Sequence, residues 1–233
     1  MEPYTTSLTC NNSRLNSRQA PLVLIARSIR SSVGLVAGAV LGGCAWAQVQ
    51  APQYNLEDTW TYERIDSLGV RTAYTETVKK IGDQFIGVRI DPEGKARRYS
   101  LTFNPIDSQR NEIERVRFPL FVGNKWKTEH EWKNSIDAGQ TSSNYKVEAE
   151  EEVVVPAGTF RAFKITNLGW IDNQTAPVGP LGGKTKAEYT YWYAPAAKRI
   201  VKYEGKHLKW APPNYIETWS SKYELKSFKI SGE

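Results

Sequence analysis

Closely spaced glutamates in the middle of the sequence are its best candidates for catalysis. Glu148, Glu150 and Glu152 would share one face of a strand, with Glu151 on the other. Like charges along one face can raise a carboxyl pKa towards that of a general acid, so this set would suit a carboxylate-dependent glycan hydrolase. The alternative is a solvated face that keeps the following valines from aggregating, and the pattern favours it.

Other reactive residue types are sparse. The sequence has only two histidines, His130 and His207, without metal-binding spacing, and only two cysteines, Cys10 and Cys44. It contains no nucleophile elbow and no phosphate-binding glycine loop. We therefore predict no catalytic residue, no metal site and no cofactor.

Aromatic residues are the most unusual feature, with eight tryptophans and twelve tyrosines. Trp126, Tyr191, Trp192 and Tyr193 are the candidate ligand-binding residues. In a strand, Tyr191 and Tyr193 would share one face and Trp192 would lie on the opposite face, so both faces would be aromatic. The set predicts either an aromatic core or a groove for an apolar ligand or a stacked sugar.

The elements that would position these residues are strands. Large and polar residues alternate with a period of two in several segments, namely 59–65, 84–90, 99–103, 189–193 and 215–228. Pro156 and Gly158 are typical of a hairpin turn, as are Pro92 and Gly94. The chain is therefore predicted to be all-β: a strongly curved antiparallel sheet, or an open half-barrel.

A faint internal repeat bears on domain organisation. Residues 54–120 and 121–230 show similar spacings of apolar residues, which predicts two duplicated β-meanders within a single domain of residues 48–233. The alternative is that alternating sequences align with themselves by chance. The breaker-rich stretch 174–184 is predicted to be a long loop within this domain.

The first 47 residues read as a cleavable signal peptide. A basic stretch precedes a short apolar run, and Ala45-Trp46-Ala47 forms a cleavage site before Gln48. Leu41-Gly42-Gly43-Cys44 resembles a lipobox, so lipidation of Cys44 is the alternative. Either outcome predicts export, to the periplasm or, as a lipoprotein, to the outer membrane. The apolar run is too short to cross a bilayer, so we expect no transmembrane span in the mature chain.

The charge of the chain gives little support for nucleic-acid binding. The net charge is +6, and residues 1–47 contribute four arginines and one glutamate. Removing this +3 leaves +3 on the mature domain, with its basic and acidic residues interleaved. We therefore expect no nucleic-acid partner.

Several motifs carry a family resemblance. Trp60 with Tyr62, Val155-Pro156-Ala157-Gly158-Thr159-Phe160, Tyr191-Trp192-Tyr193-Ala194-Pro195 and Ile200-Val201-Lys202 occur in this order. The sequence resembles the DUF3108-related family of exported bacterial proteins of unknown function. The resemblance implies a curved antiparallel sheet in the cell envelope, and it brings no established activity.

The sequence departs from that family at one turn. The family's Gly-Val/Ile-Gly is replaced here by Ala196-Ala197-Lys198-Arg199, so a tight glycine turn is not expected at this point. Together these features predict a non-enzymatic binding or structural module for an apolar or lipid-like ligand or an envelope partner. A carbohydrate-binding module and a glycan hydrolase are the alternatives.

Overall fold

The computed structural model describes residues 48–133, 137–174 and 184–232. These residues form ten β-strands and one short 3₁₀-helix, Pro195–Ala197. The strands are β1 (Thr59–Asp66), β2 (Arg71–Ile81), β3 (Ile86–Asp91), β4 (Lys95–Tyr99), β5 (Lys125–Lys133), β6 (Ala138–Val155), β7 (Gly158–Asn173), β8 (Lys184–Ala194), β9 (Arg199–Ala211) and β10 (Asn214–Lys229). The predicted signal peptide, its cleavage site and Cys44 lie outside the described residues.

All ten strands belong to one antiparallel sheet in the order β4-β3-β2-β1-β10-β9-β8-β7-β6-β5. The pairing of β1 with β10 joins the first and last strands, and the sheet is not closed because β4 and β5 remain unpaired edges. The predicted all-β class is therefore confirmed. Both predicted hairpins are also present, with Gly158 and Gly94 at positive φ. The proposed duplication stays a prediction.

Contacts between distant strands show how strongly the sheet curves. Glu76 on β2 forms an ion pair with Arg199 on β9, although β1 and β10 lie between these strands. In a flat sheet three strand spacings would separate them by about 14 Å. We call the face that carries Glu76 and Arg199 the concave face. At the β6–β7 turn, the Ala157 N–H donates to the Leu225 carbonyl of β10 at 3.0 Å, so that hairpin also folds back.

The segment that joins the two edge strands, residues 100–124, lies across the opening of the sheet. We call it the crossing segment. Near β4, the Ile106 N–H donates to the Arg98 carbonyl at 3.0 Å. Near β5, the Trp126 indole donates to the Glu114 carbonyl at 3.1 Å. The segment therefore covers the concave face without adding a strand to the sheet.

The core consists of two groups of buried apolar side chains. One contains Trp60, Tyr62, Phe103 and Leu225 with apolar residues of β2, β3 and the β6–β7 hairpin. The other contains Trp126, Tyr145, Ile165 and Tyr191 with Val116 and Leu120 of the crossing segment. Burial of such large side chains contributes about 1.5–3 kcal/mol each. Both groups include crossing-segment residues, so that segment is part of the packed fold.

The turn that departs from the family pattern is tight despite its missing glycines. Lys198 follows the 3₁₀-helix with φ of 55°, a left-handed conformation, and its N–H donates to the Pro195 carbonyl at 3.0 Å. The turn is therefore tight, but it is not a glycine turn, in keeping with the sequence expectation. A lysine takes up the backbone geometry that glycine adopts more easily. Within the described residues, no helix is long and apolar enough to cross a membrane.

Candidate functional site

A cavity of about 540 Å³ lies between the concave face and the crossing segment. Its volume is within the range of small-molecule sites. Aromatic rings and arginines dominate its walls. The principal lining residues are Tyr62, Arg64, Tyr74, Arg97, Tyr99, Phe103, Arg115, Arg199, Tyr203, Trp219 and Tyr223. Asp66 and Ser221 line both this cavity and a second depression of about 610 Å³.

Five tyrosines on five adjacent strands form a continuous row across the concave face. We call Tyr74, Tyr62, Tyr223, Tyr203 and Tyr191 the tyrosine ladder. Successive ring centroids lie 5.3, 5.2, 4.8 and 5.3 Å apart from β2 to β8. These separations suit aromatic pairing. The ladder exists because alternation places each tyrosine on the same face and the strand register aligns them.

The hydroxyl groups of the tyrosine ladder differ in whether they form hydrogen bonds. Tyr62 donates to the Ile200 carbonyl at 3.0 Å. The hydroxyls of Tyr74, Tyr203 and Tyr223 have no hydrogen-bond partner among the described residues, and all three residues line the cavity. Burial raises the pKa of all three, so at neutral pH each is a protonated, neutral donor.

Arg199 is held at one end of the cavity. Its guanidinium pairs with the Glu76 carboxylate, and Tyr99 donates to the same carboxylate at 2.7 Å. The Phe103 ring centroid lies 3.9 Å from the guanidinium carbon, and the Trp60 ring is 5.4 Å away. Arg199 is therefore matched in charge and enclosed by aromatic rings.

Arg115 enters the cavity from the crossing segment, where Asn104 positions its backbone. The buried Asn104 side chain accepts hydrogen bonds from the N–H groups of Arg115 and Val116, at 2.9 and 3.0 Å, and donates to the Val116 carbonyl at 2.9 Å. The Arg115 guanidinium has neither an ion pair nor a hydrogen bond among the described residues. Its guanidinium carbon lies 5.9 Å from the centroid of the Tyr191 ring.

The electrostatic surroundings of Arg115 consist of tyrosines. Burial lowers the pKa of Arg115, but the phenolate forms of Tyr191, Tyr223 and Tyr203 raise it by more; at neutral pH the guanidinium is charged and these phenols are neutral. Arg115 in turn opposes the effect of burial on the pKa of Tyr145 and of Tyr189, the latter raised to about 12. These shifts place one cation among neutral phenols.

A second polar side chain without a partner lies nearby on β7. Asn167 is 3 % exposed, and neither its amide nitrogen nor its carbonyl oxygen has a hydrogen-bond partner among the residues that the structure describes. In the strand register it lies between Tyr145 and Tyr189, two of the tyrosines whose pKa Arg115 lowers. An unsatisfied buried amide is costly, so its persistence marks this part of the concave face as polar.

The four sequence-predicted ligand residues are buried; Trp126, Tyr191 and Tyr193 belong to the second core group and Trp192 to the first. Trp126 stacks on Tyr145 at 5.0 Å, and Tyr191 belongs to the tyrosine ladder. Tyr193 packs against Phe118, and its buried hydroxyl has no hydrogen-bond partner in the described ranges. Trp192 lies on the opposite strand face, where its indole donates to Glu151 at 2.7 Å. Tyr191 is thus the one of the four that joins the row facing the cavity.

Two of the glutamates considered for catalysis have ion-pair partners. Glu148 pairs with Lys146, and Glu150 with Arg161 at 2.7 Å. Both are exposed, as is Glu152. The hydrogen bond from Lys146 lowers the pKa of Glu148, opposite to the shift that a general acid needs. This arrangement is typical of a solvated strand face.

The two histidines are far from forming a metal site. Among the described residues, no group of three or more histidine, cysteine, aspartate or glutamate side chains could hold a metal ion. His207 lies 2.7 Å from the Tyr189 hydroxyl and packs on Trp219 with ring centroids 4.5 Å apart. Burial lowers the pKa of both His207 and His130. His207 therefore packs behind Trp219, which lines the cavity.

Arg115 and Asn104 were missed by the sequence reasoning. The one local signal is the run Glu114-Arg115-Val116-Arg117, in which two arginines flank an apolar residue outside any predicted strand. That pattern does not show which arginine points inward. Arg117 is bound to Glu114 at 2.8 Å on the outside, whereas Arg115 enters the cavity.

Comparison with known proteins gives structural likenesses only. No family model matches the chain, and no curated protein does. A candidate exported protein with a YmcC-like fold from Bacteroides fragilis is 14 % identical, with a TM-score of 0.41, over 78 % of this chain and 100 % of that one. A candidate lipoprotein from Parabacteroides distasonis is 13 % identical, with a TM-score of 0.38, over 78 % and 100 %. The hypothetical lipoprotein YmcC from Escherichia coli is 11 % identical, with a TM-score of 0.41, over 79 % and 90 %.

Proposed function

We propose that this chain is an exported, non-enzymatic binding protein of the bacterial cell envelope that holds an amphipathic small molecule in its concave cavity. The observation that carries the proposal is the cavity of about 540 Å³, which four of the five tyrosines of the ladder line. Aromatic rings provide apolar contact area, and the hydroxyls of Tyr74, Tyr203 and Tyr223 provide hydrogen bonds that the protein does not use. Mixed lining of this kind suits a ligand with apolar and polar parts.

The binding role is favoured over catalysis by the state of the carboxylates. Glu76 pairs with Arg199 and accepts from Tyr99, and Glu93 pairs with Lys95 at 3.1 Å. Asp66 accepts hydrogen bonds from the N–H groups of Leu68 and Val70. Every carboxylate that lines the cavity is thus engaged by the fold. The predicted signal peptide supports export.

Binding can be tested with the neutral fluorescent probe N-phenyl-1-naphthylamine and two matched variants on β2. Thr72 lines the cavity, whereas the adjacent Ala73 points to the other strand face, and both are exposed. We expect saturable binding of the probe to the unaltered protein. Thr72→Trp should fill the cavity mouth and reduce probe fluorescence at least several-fold, and Ala73→Trp should leave it unchanged.

Two results would contradict this proposal. One is the absence of saturable probe binding, and the other is an equal effect of both tryptophan variants. Native mass spectrometry of the protein purified from an envelope fraction provides an independent measurement. A co-purified mass that Thr72→Trp removes and Ala73→Trp retains is the expected outcome.

A further inference from the structure

We propose that Arg115 is the anion-binding residue of the cavity, receiving the carboxylate or phosphate group of an amphipathic ligand whose apolar part lies along the tyrosine ladder. This inference rests on the proposed function, since it names the chemical class of the ligand. Four observations carry it: the unpaired guanidinium, the diverted carboxylates, the surrounding donors and the excess of arginines.

The first observation is the unpaired state of Arg115. Its guanidinium lines the cavity, is partly buried, and has no acceptor in residues 48–133, 137–174 and 184–232. Arginine remains charged in proteins, and withdrawing a charge from water is unfavourable unless a counter-charge or acceptor compensates. An oxyanion supplies both, because two parallel N–H groups match two oxygens.

The second observation is that the neighbouring carboxylates point elsewhere. Glu114 binds Arg117 through both oxygens on the outside of the crossing segment. Glu112 accepts hydrogen bonds from Ser100 and from the Asn104 amide, both at 2.9 Å. Asn104 therefore fixes the backbone of Arg115 and also holds an acidic neighbour away from it. This arrangement leaves the guanidinium open to a ligand.

The third observation is the chemistry of the groups around Arg115. The Tyr203 and Tyr223 hydroxyls have no partners within the described part of the chain and are neutral donors at physiological pH. Gly205 leaves room for this arrangement, since a Cβ there would lie 2.1 Å from the Tyr203 hydroxyl oxygen and 2.7 Å from the Tyr189 ring. One cation and two free hydroxyls match the acceptor-only character of a carboxylate or phosphate.

The fourth observation is the charge of the whole cavity wall. Arg64, Arg97, Arg115 and Arg199 outnumber the three carboxylates that line it, of which Glu76 neutralises Arg199. Arg64 donates to the Ser221 hydroxyl at 3.0 Å and forms no ion pair among the described residues. A concave surface with an excess of one sign attracts ligands of the opposite sign.

The test compares ligands that share a twelve-carbon chain and differ at the head. Dodecanoate, dodecyl phosphate and dodecan-1-ol are titrated, below their micelle concentrations, against the protein loaded with N-phenyl-1-naphthylamine. We expect at least one of the two anions to displace the probe at a concentration about 10- to 100-fold lower than the alcohol. Acetate and inorganic phosphate alone should displace it poorly, because they lack the apolar part.

Variants of two arginines in the same segment localise the effect. Arg115→Gln should abolish the preference for the anion, and Arg115→Lys should retain part of it, since lysine keeps the charge without the planar fork. Arg117→Gln, the matched control on the outer side, should behave like the unaltered protein. The anion with the larger preference identifies the head group as carboxylate or phosphate.

The outcomes separate this inference from the proposed function. If the probe binds but the alcohol competes as well as both anions, the anion site is wrong and the binding function stands. An equal loss of the anion preference in Arg115→Gln and Arg117→Gln would also overturn the anion site. Displacement of the probe by acetate or inorganic phosphate at the same concentration as the twelve-carbon anions would show that the apolar chain does not contribute to binding. Without probe binding, both proposals fail. If Arg115→Gln does not fold by circular dichroism, the ligand comparison on the unaltered protein and Arg115→Lys still decide.

Discussion

Two of the four arginines that line the cavity, Arg199 and Arg115, differ sharply in their surroundings. Arg199 pairs with Glu76, contacts the Phe103 ring at 3.9 Å and has a side chain that is 11 % exposed. Arg115 has aromatic neighbours as well, yet no carboxylate and no acceptor among the described residues meets its guanidinium. Arginine therefore packs into the fold as part of an ion pair at position 199, whereas at position 115 its charge faces the cavity.

The difference teaches how the crossing segment serves two purposes. At its start, Phe103 adopts a φ of 60° and packs on Arg199, Tyr54 and Tyr99, which fixes the segment to the sheet. Farther along, Asn104 organises the backbone that projects Arg115 into the cavity. A left-handed conformation is unfavourable for a bulky residue, and it persists where the surroundings impose it. We therefore expect Arg199 to contribute to the stability of the fold and Arg115 to contribute to ligand binding.

The largest expected effect breaks the Arg199 side of this comparison. Glu76→Gln removes one partner of a buried ion pair and leaves Arg199 without its counter-charge, so the free energy of unfolding should fall by about 3 kcal/mol or more. Arg115→Gln breaks no ion pair or hydrogen bond of the guanidinium, so it should change the free energy of unfolding by less than about 1 kcal/mol in either direction. Urea denaturation monitored by tryptophan fluorescence measures both. Equal losses would show that Arg115 has a structural partner and would contradict the assigned roles.

A smaller effect is expected where the two regions meet, at Asn104. Asn104→Ala removes hydrogen bonds to the N–H groups of Arg115 and Val116 and to the Val116 carbonyl inside the fold, which should cost about 2 kcal/mol of unfolding free energy. Asn144→Ala is the control, since that amide is exposed and makes one hydrogen bond of 3.5 Å.

The same variant tests positioning as well as stability. Under conditions where Asn104→Ala is folded, its preference for dodecanoate or dodecyl phosphate over dodecan-1-ol should weaken, because Arg115 is no longer held in place. Asn144→Ala should keep the preference. A stability loss with an intact preference would show that Arg115 does not depend on Asn104.

Features that depend on residues close together in the sequence could be predicted, whereas contacts between residues far apart in the sequence could not. Alternation of large and polar residues predicted the strands, and it placed Tyr191 and Trp192 on opposite faces, as observed. Gly94 and Gly158 predicted the hairpin turns because their backbone demands are local. The Glu76–Arg199 pair joins residues 123 positions apart and forms only because the sheet curves. No local pattern encodes that contact.

The site was harder to predict than the fold for a related reason. The cavity depends on a segment without strands, and its direction is set by one amide, Asn104, whose partners are mostly backbone groups. Backbone partners have no signature in side-chain patterns. The glutamates of β6 attracted attention through spacing, yet spacing does not show that Lys146 and Arg161 neutralise two of them. The chemistry of the cavity depends on which charged side chains are not paired with another charge in the folded protein.

The smallest expected effect sharpens the closed region at the turn that leads into Arg199. Lys198 has a φ of 55°, which a residue with a Cβ adopts at a cost of roughly 1 kcal/mol and glycine adopts freely. Its carbonyl also accepts a hydrogen bond from the Tyr54 hydroxyl at 3.0 Å, so the turn geometry is coupled to the surroundings of Arg199.

Lys198→Gly and Lys198→Ala both remove the lysine side chain, and only the alanine variant keeps the backbone strain. We expect Lys198→Gly to exceed Lys198→Ala in unfolding free energy by about 0.5–1 kcal/mol, measured by urea denaturation. Equal stabilities would mean that the turn relaxes without strain and that the surroundings of Arg199 do not impose its geometry.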